Sequence, residues 1–147
     1  MPENWPMNTL SLKDFLRSFP DARYRTEEQL LTWFPRGTLD DIVADQLTMI
    51  IEAAEMNQAV PFNRYTDLSL LTDINLRVGH VFEIAERRRE VVQPVRSAFF
   101  ADTAIGFGIA RMYETLMERA IIQVRAFRDR DLAAQWLKVP VELLQPK

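Results

Sequence analysis

The sequence predicts an α/β domain: about five strands in a mostly parallel sheet that begins with an N-terminal hairpin strand, four helices packed on it, and one extra helix ahead of the domain. Three observations lead there. Short apolar and aromatic runs alternate with longer stretches in which apolar residues recur every three or four positions. Proline or glycine punctuates the junctions, at Pro20, Gly37, Pro61, Pro94 and Pro140. Strands separated by helical stretches pair in parallel, with the helices covering the sheet.

In chain order, Leu12, Phe15, Leu16 and Phe19 form a helical stripe over residues 11–19, which Ser11 caps and Pro20 ends. Such a stripe needs an apolar surface to cover, in this chain or in a second copy. Residues 22–26 and 29–35 read as two strands around an acidic turn at Glu27 and Glu28, with Gly37 marking the exit. Thr38 or Asp40 caps the next helix, which carries Ile42, Val43, Leu47, Ile50, Ile51 and Ala54; Asp40, Asp41 and Asp45 complement its dipole. Residues 62–69 form a short strand followed by 70–74, and Asn75 caps a helix from 76 to about 92 with Val78, Val81, Phe82, Ile84 and Ala85 inward. The run Arg87, Arg88, Arg89 reads as the solvated end of that helix. A strand over 95–101 precedes a helix capped by Asp102 or Thr103, and the last strand spans 121–127. Asp129 or Asp131 caps the final helix, Pro140 stops it, and a loose tail follows. The expected organisation is an N-terminal helical extension (1–20), the domain itself (21–140) and a C-terminal tail (141–147).

Composition narrows the function classes. The apolar share is 48% and the charged share 27%, which fits a globular chain rather than a disordered one. The net charge of −3 provides no field that would draw nucleic acid. No cysteine is present, so disulfides, thiolate nucleophiles and thiolate zinc sites are excluded. No cofactor and no metal are expected. Residues 1–6 include Glu3 and lack the apolar stretch of a signal peptide, and no apolar run reaches the ~20 residues of a membrane span, so the expected compartment is cytoplasmic.

Several segments are similar to a known group. LLTWFPRGTL (30–39) resembles the strand-then-glycine opening of STAS-type domains, the sulfate-transporter tails and anti-sigma factor antagonists, and YTDLS (65–69) resembles their second core strand. Small stand-alone bacterial STAS-like proteins resemble the chain further, through VRSAFFAD (95–102), FGIARMYE (107–114) and VRAFRDRDLAAQWL (124–137). The resemblance runs from Ala22 to Leu137. It implies a mixed five-stranded sheet with packed helices, and a non-enzymatic role as a surface read by partner proteins or as a small-ligand pocket. In the antagonist branch it also implies a phosphorylated serine at a helix N-terminus, in an Asp-Ser-Ser-Gly run. The corresponding residues here are Thr72, Asp73, Ile74, Asn75 and Leu76, without serine or glycine, so no phosphoswitch is expected.

Candidate chemistry is sparse. His80 is the lone histidine and has neither a convincing ligand spacing nor a nucleophile elbow. Gly106-Phe107-Gly108 lacks the remainder of a phosphate-binding fingerprint and reads as close approach of helix to sheet. Glu83 and Glu86 read as solvated partners of neighbouring arginines. No catalytic residue is assigned. The strand C-terminal rim, where α/β proteins bind ligands, should hold Thr38, Asp67, Ser69, Asp102, Thr103 and Arg128. The leading expectation is an interaction or regulatory module that binds an unknown protein partner or itself, which calls for an exposed apolar patch and no enclosed cavity. A carrier or sensor for a small apolar or anionic molecule between sheet and helices calls for a cavity of about 300–1,000 Å³. An enzyme using rim carboxylates calls for convergent polar groups in a cleft.

Overall fold

The computed structural model describes residues 16–146. Strands β1 (Ala22–Arg25) and β2 (Leu30–Trp33) form the expected antiparallel hairpin, with Arg25 opposite Leu30 and Ala22 opposite Trp33. Its turn closes through Gln29, whose φ of 50° is left-handed and whose amide donates to the Thr26 carbonyl. Beyond β2, Gly37 has φ 77°, a region open to glycine at little cost, and begins β3 (Gly37–Asp40). Helix α1 (Asp41–Asn57) follows, capped by Asp40, whose carboxylate accepts from the Val43 amide at 2.9 Å. Strand β4 (Asn63–Asp67), β5 (Leu71–Asn75) and α2 (Val78–Arg88) come next, then β6 (Arg96–Phe100), α3 (Ala104–Leu116), β7 (Gln123–Phe127) and α4 (Arg130–Leu137).

Among the described residues the main sheet has the order β1-β2-β4-β6-β7, antiparallel only at its first pair. Its parallel strands are joined by helical crossovers, and the inner ones are buried on both faces, hence four consecutive buried residues in each of β2, β4 and β6, whereas the edge strand β7 is partly exposed. Side-chain alternation separates the two faces. Leu30, Tyr65, Ala98, Phe100 and Phe127 meet Ala133, Ala134 and Leu137 of α4. On the opposite face, Leu31 and Trp33 meet Ile50, Ile51 and Ala54 of α1. Farther along it, Val95 and Ile122, just before β6 and β7, pack with Ala85 of α2 and with Met117, which follows α3.

Four elements differ from the sequence expectation. A second, two-stranded parallel sheet pairs β3 with β5, so Asn75 closes a strand instead of capping a helix. Helix α2 begins two residues later than expected, at Val78, and no side chain caps it at Arg77. Four-residue pairing of this kind leaves no periodicity to read, and Thr38 and Asn75 suit a cap as well as a strand. Third, the C-terminal segment is not loose: a 3-10 turn, Val141–Leu144, brings Leu144 into the core beside α4, fully buried. Finally, the arginine run divides, as described below. Residues 11–15 of the expected first helix lie outside the described residues, but Leu16 and Phe19 pack on the Leu31–Trp33–Ile50 cluster of the same chain. The close-approach reading holds at Gly106: a Cβ there would lie 3.0 Å from Thr103 Oγ1 and 3.2 Å from Ala101 Cβ. Gly108 has no such constraint.

Candidate functional site

The expected rim residues sit in separate surroundings. Asp67, at the end of β4, is fully buried and accepts from the Tyr65 hydroxyl (2.6 Å), the Ser69 amide (2.9 Å) and Arg130 Nε (3.0 Å). Arg130, the first residue of α4, also donates to Ser69 Oγ at 2.8 Å and covers the Phe100 ring at 4.2 Å. Burial, and then the adjacent Asp67 carboxylate, push the Tyr65 phenol far above its ordinary range, so it stays a donor. Asp67 and Ser69 are thus brought together by a residue the sequence reading did not select, and their polar atoms are directed at protein partners. Thr103 is the cap of α3, accepting from the Gly106 amide at 3.1 Å. Arg128 reaches the Asp102 carbonyl at 3.5 Å and stacks over Phe107. Thr38 is exposed in the small sheet, in register with Asp73.

A different cluster lies under the helices. Alternation along β4 and β6 sends Arg64, Thr66 and Ser97 to the face covered by α1, α2 and α3, and all three are buried. From α1, Glu55 extends the Ala44–Thr48–Ile51 stripe inward; from α2, Arg88 extends Val81–Ala85. Glu55 Oε2 accepts from Arg64 Nη2 (2.8 Å) and Arg88 Nη2 (2.7 Å), while its Oε1 accepts from Arg88 Nη1 (3.0 Å). Arg64 Nε donates to the Phe62 carbonyl at 2.9 Å. Burial pushes the Glu55 carboxyl up, but Arg88 and then Arg64 outweigh it and hold it below the usual range. For Arg64, burial outweighs Glu55 and lowers the guanidinium's pKa, although arginine remains charged. Tyr113 of α3, beside Arg88, is pushed up to about 12 by burial.

Arg64, Thr66, Arg88, Ser97 and Tyr113 line a cavity of about 80 Å³ between the sheet and α1–α3, with otherwise apolar walls that include Leu47, Ile84 and Ile109. The volume is well below the 300–1,000 Å³ expected of a carrier. The expectation of a solvated arginine run is corrected at Arg88, which is 4% exposed, whereas Arg87 faces solvent and pairs with Glu52. In α2 the inward stripe is Val81, Ile84, Ala85 and Arg88, whereas Val78 and Phe82, expected inward as well, are exposed, so the apolar pattern did not single out Arg88.

On the outer side of α1 and α2 lies a groove of about 510 Å³ lined by Asp45, Met49, Glu52, Met56, His80 and Glu83 among others. His80 bridges the helices, Nε2 to Asp45 Oδ1 at 2.7 Å and Nδ1 to Glu83 Oε2 at 3.1 Å. Glu83 is therefore a histidine partner rather than the arginine partner expected. Desolvation opposes the imidazolium, but Asp45, Asp41 and Glu83 outweigh it and raise the His80 pKa. A raised folded-state pKa adds stability that is full below the unfolded value of about 6.5 and is lost as pH rises through the folded one. The His80 C2 proton should accordingly titrate with a midpoint above 6.5, and His80→Gln should weaken the protein more at pH 5 than at pH 9. A midpoint at or below 6.5 would show that the bridge does not form.

No group of three or more potential metal-ligating side chains occurs among the described residues, and no described helix is long and apolar enough to cross a membrane.

The architecture is that of a STAS-like domain with the SpoIIAA-like fold, with a mostly parallel five-stranded sheet and helices on both faces. A similar solved structure is an uncharacterised protein of the DUF3478 family with a SpoIIAA-like fold, from Shewanella loihica PV-4. It has 15% identity and a TM-score of 0.52, over 79% of this chain and 90% of that one. No family model matches the sequence, and neither does any curated protein. The Thr72–Leu76 stretch, which the resemblance set against the antagonists' serine run, runs through β5 and precedes the first turn of α2.

Proposed function

We propose that the chain is a non-catalytic interaction module that docks a basic, amphipathic helical segment of a partner protein in the groove between α1 and α2. The carrying observation is the exposed apolar stripe of α1, Ile42, Met49 and Met56 at seven-residue intervals, of which Met49 and Met56 line the groove. Seven-residue spacing puts the three α1 side chains on one stripe, and methionine adapts to varied apolar partners. Large apolar side chains grouped on a surface mark contact sites more often than scattered single ones do. The groove sets three carboxylates, Asp45, Glu52 and Glu83, against one guanidinium, Arg87, and the imidazole of His80, so its charge favours a cationic partner. Helix-in-groove recognition joins such a charged rim to apolar anchors. A non-catalytic role is supported by the engagement of both Asp67 oxygens and both His80 nitrogens with protein groups.

The test is an NMR titration of isotope-labelled protein with a leucine/lysine helical peptide of about five turns, against its leucine/glutamate counterpart. The basic peptide should shift α1 and α2 amides at micromolar concentration and bind roughly tenfold tighter than the acidic one, about 1.4 kcal/mol. The Met49→Asp/Met56→Asp variant should lose that binding while remaining folded. Shifts confined to other surfaces, or equal binding of both peptides, would overturn the proposal. So would concentration-dependent shifts on this face without peptide, which would assign it to a second copy of the chain.

A further inference from the structure

We infer that the cavity between the sheet and α1–α3 is a binding site for a small aliphatic monocarboxylate, with the carboxylate against Arg64 and Arg88 and the hydrocarbon against the apolar walls. The inference is independent of the docking groove and begins from charge. Arg64 and Arg88 have side chains 2% and 5% exposed, and the carboxylate lying between them is Glu55 alone. Glu52 reaches Arg88 only at 3.5 Å and is held by both Arg87 nitrogens, at 2.8 and 2.5 Å. Two buried guanidinium groups therefore share one close carboxylate, with Glu52 a longer partner of Arg88 only, and Arg64 has no carboxylate besides Glu55 among its ion pairs. Buried charge is tolerated when it is paired, and a single anion supplies the missing partner. Burial lowers the Arg64 pKa, whereas Glu55, with Tyr113 and Glu52 behind it, outweighs burial and raises that of Arg88, so the shortfall in pairing lies at Arg64.

The other walls select the remainder of the ligand. Leu47, Ile84, Ile109 and Val124 surround the space with hydrocarbon, and the Tyr113 phenol beside Arg88 remains protonated, a donor suited to a carboxylate oxygen. About 80 Å³ accommodates a chain of a few carbons and excludes a long fatty acid or a nucleotide. Thr48 and Ile84 line both this cavity and the outer groove, so these two side chains stand between the site and solvent and mark the entry.

Isovalerate is the probe, with isovaleramide as its neutral isostere and formate as an anion without the chain. Titrations at pH 7 are followed by the Nε–H signals of Arg64 and Arg88 and the methyl signals of Ile109 and Val124, with thermal midpoints in parallel. Isovalerate should perturb all four residues, raise the midpoint and bind at least tenfold tighter than either control. Arg64→Met should abolish the preference for isovalerate over isovaleramide. Because that change also alters a buried ion cluster, Ala110→Leu provides a second variant. It leaves the arginines in place, fills the cavity from α3, and should eliminate isovalerate binding in a folded protein. The inference is overturned if isovalerate leaves the lining signals unmoved, if isovaleramide binds equally well, or if Ala110→Leu binds as the parent does. The peptide titration above reads a different surface, so either proposal fails without the other.

Discussion

Glu55→Ala should destabilise the protein by about 3–5 kcal/mol, the cost typical of removing one partner from a buried ion pair. The carboxylate takes three hydrogen bonds from Arg64 and Arg88, and its loss leaves two like charges buried together. At about 2–4 °C per kcal/mol for chains of roughly this length, the unfolding midpoint should fall by about 10 °C. Glu55→Gln, which keeps the shape and loses the charge, should show most of the effect. Replacing Glu55, Arg64 and Arg88 together by leucine and methionine should recover much of it, because well-packed hydrocarbon often matches or exceeds a buried ion cluster in stability. The pH dependence has a definite sign. The folded-state pKa of Glu55 is lowered, so its contribution is present above the unfolded value of about 4.3 and is lost as pH falls through the folded one. Denaturant unfolding at pH 7 and pH 3 should therefore find the parent and Glu55→Gln converging in acid. A Glu55→Ala variant within 1 kcal/mol of the parent at pH 7 would show that the cluster is hydrated and weak.

Asp67→Ala should cost about 3 kcal/mol, at the lower end of the same range, since Arg130 retains partial access to solvent. The change strands the Tyr65 hydroxyl, which is buried and has been donating at 2.6 Å, together with the Ser69 amide. Tyr65→Phe removes one donor from a carboxylate that keeps two others, and should cost only about 1 kcal/mol. Arg130 ties the end of β4 to the first turn of α4, so a double-mutant cycle of Asp67→Ala and Arg130→Ala measures that tie directly. A coupling energy of about 1 kcal/mol or more is expected. Additive single effects would place Arg130 among ordinary surface arginines.

The main sheet was legible because its signals are local. Pro20, Pro61, Pro94 and Pro140 fall between regular elements, Gly37 opens β3, and the helices over 41–57 and 104–116 follow their apolar spacing. Three of the proposed caps, Asp40, Thr103 and Asp129, accept the amide bonds that capping requires. The β3–β5 pair was not legible, since each strand is short and its partner lies more than thirty positions away. Leu144 was read as tail because nothing within seven residues of the C-terminus indicates a core that α4 and β2 create.

The sequence by itself determined the α/β alternation, the hairpin start and the helix boundaries at α1, α3 and α4, because periodicity, capping and proline act over a few residues. Only the tertiary structure decided which charges are buried. Arg87, Arg88 and Arg89 are equivalent as letters, but a helix rotates about 100° per residue, so one of the three points beneath α1 to meet Glu55 and Arg64. Burial turns that one side chain from a solvated cation into part of a cavity wall, and it depends on neighbours more than twenty residues away along the chain.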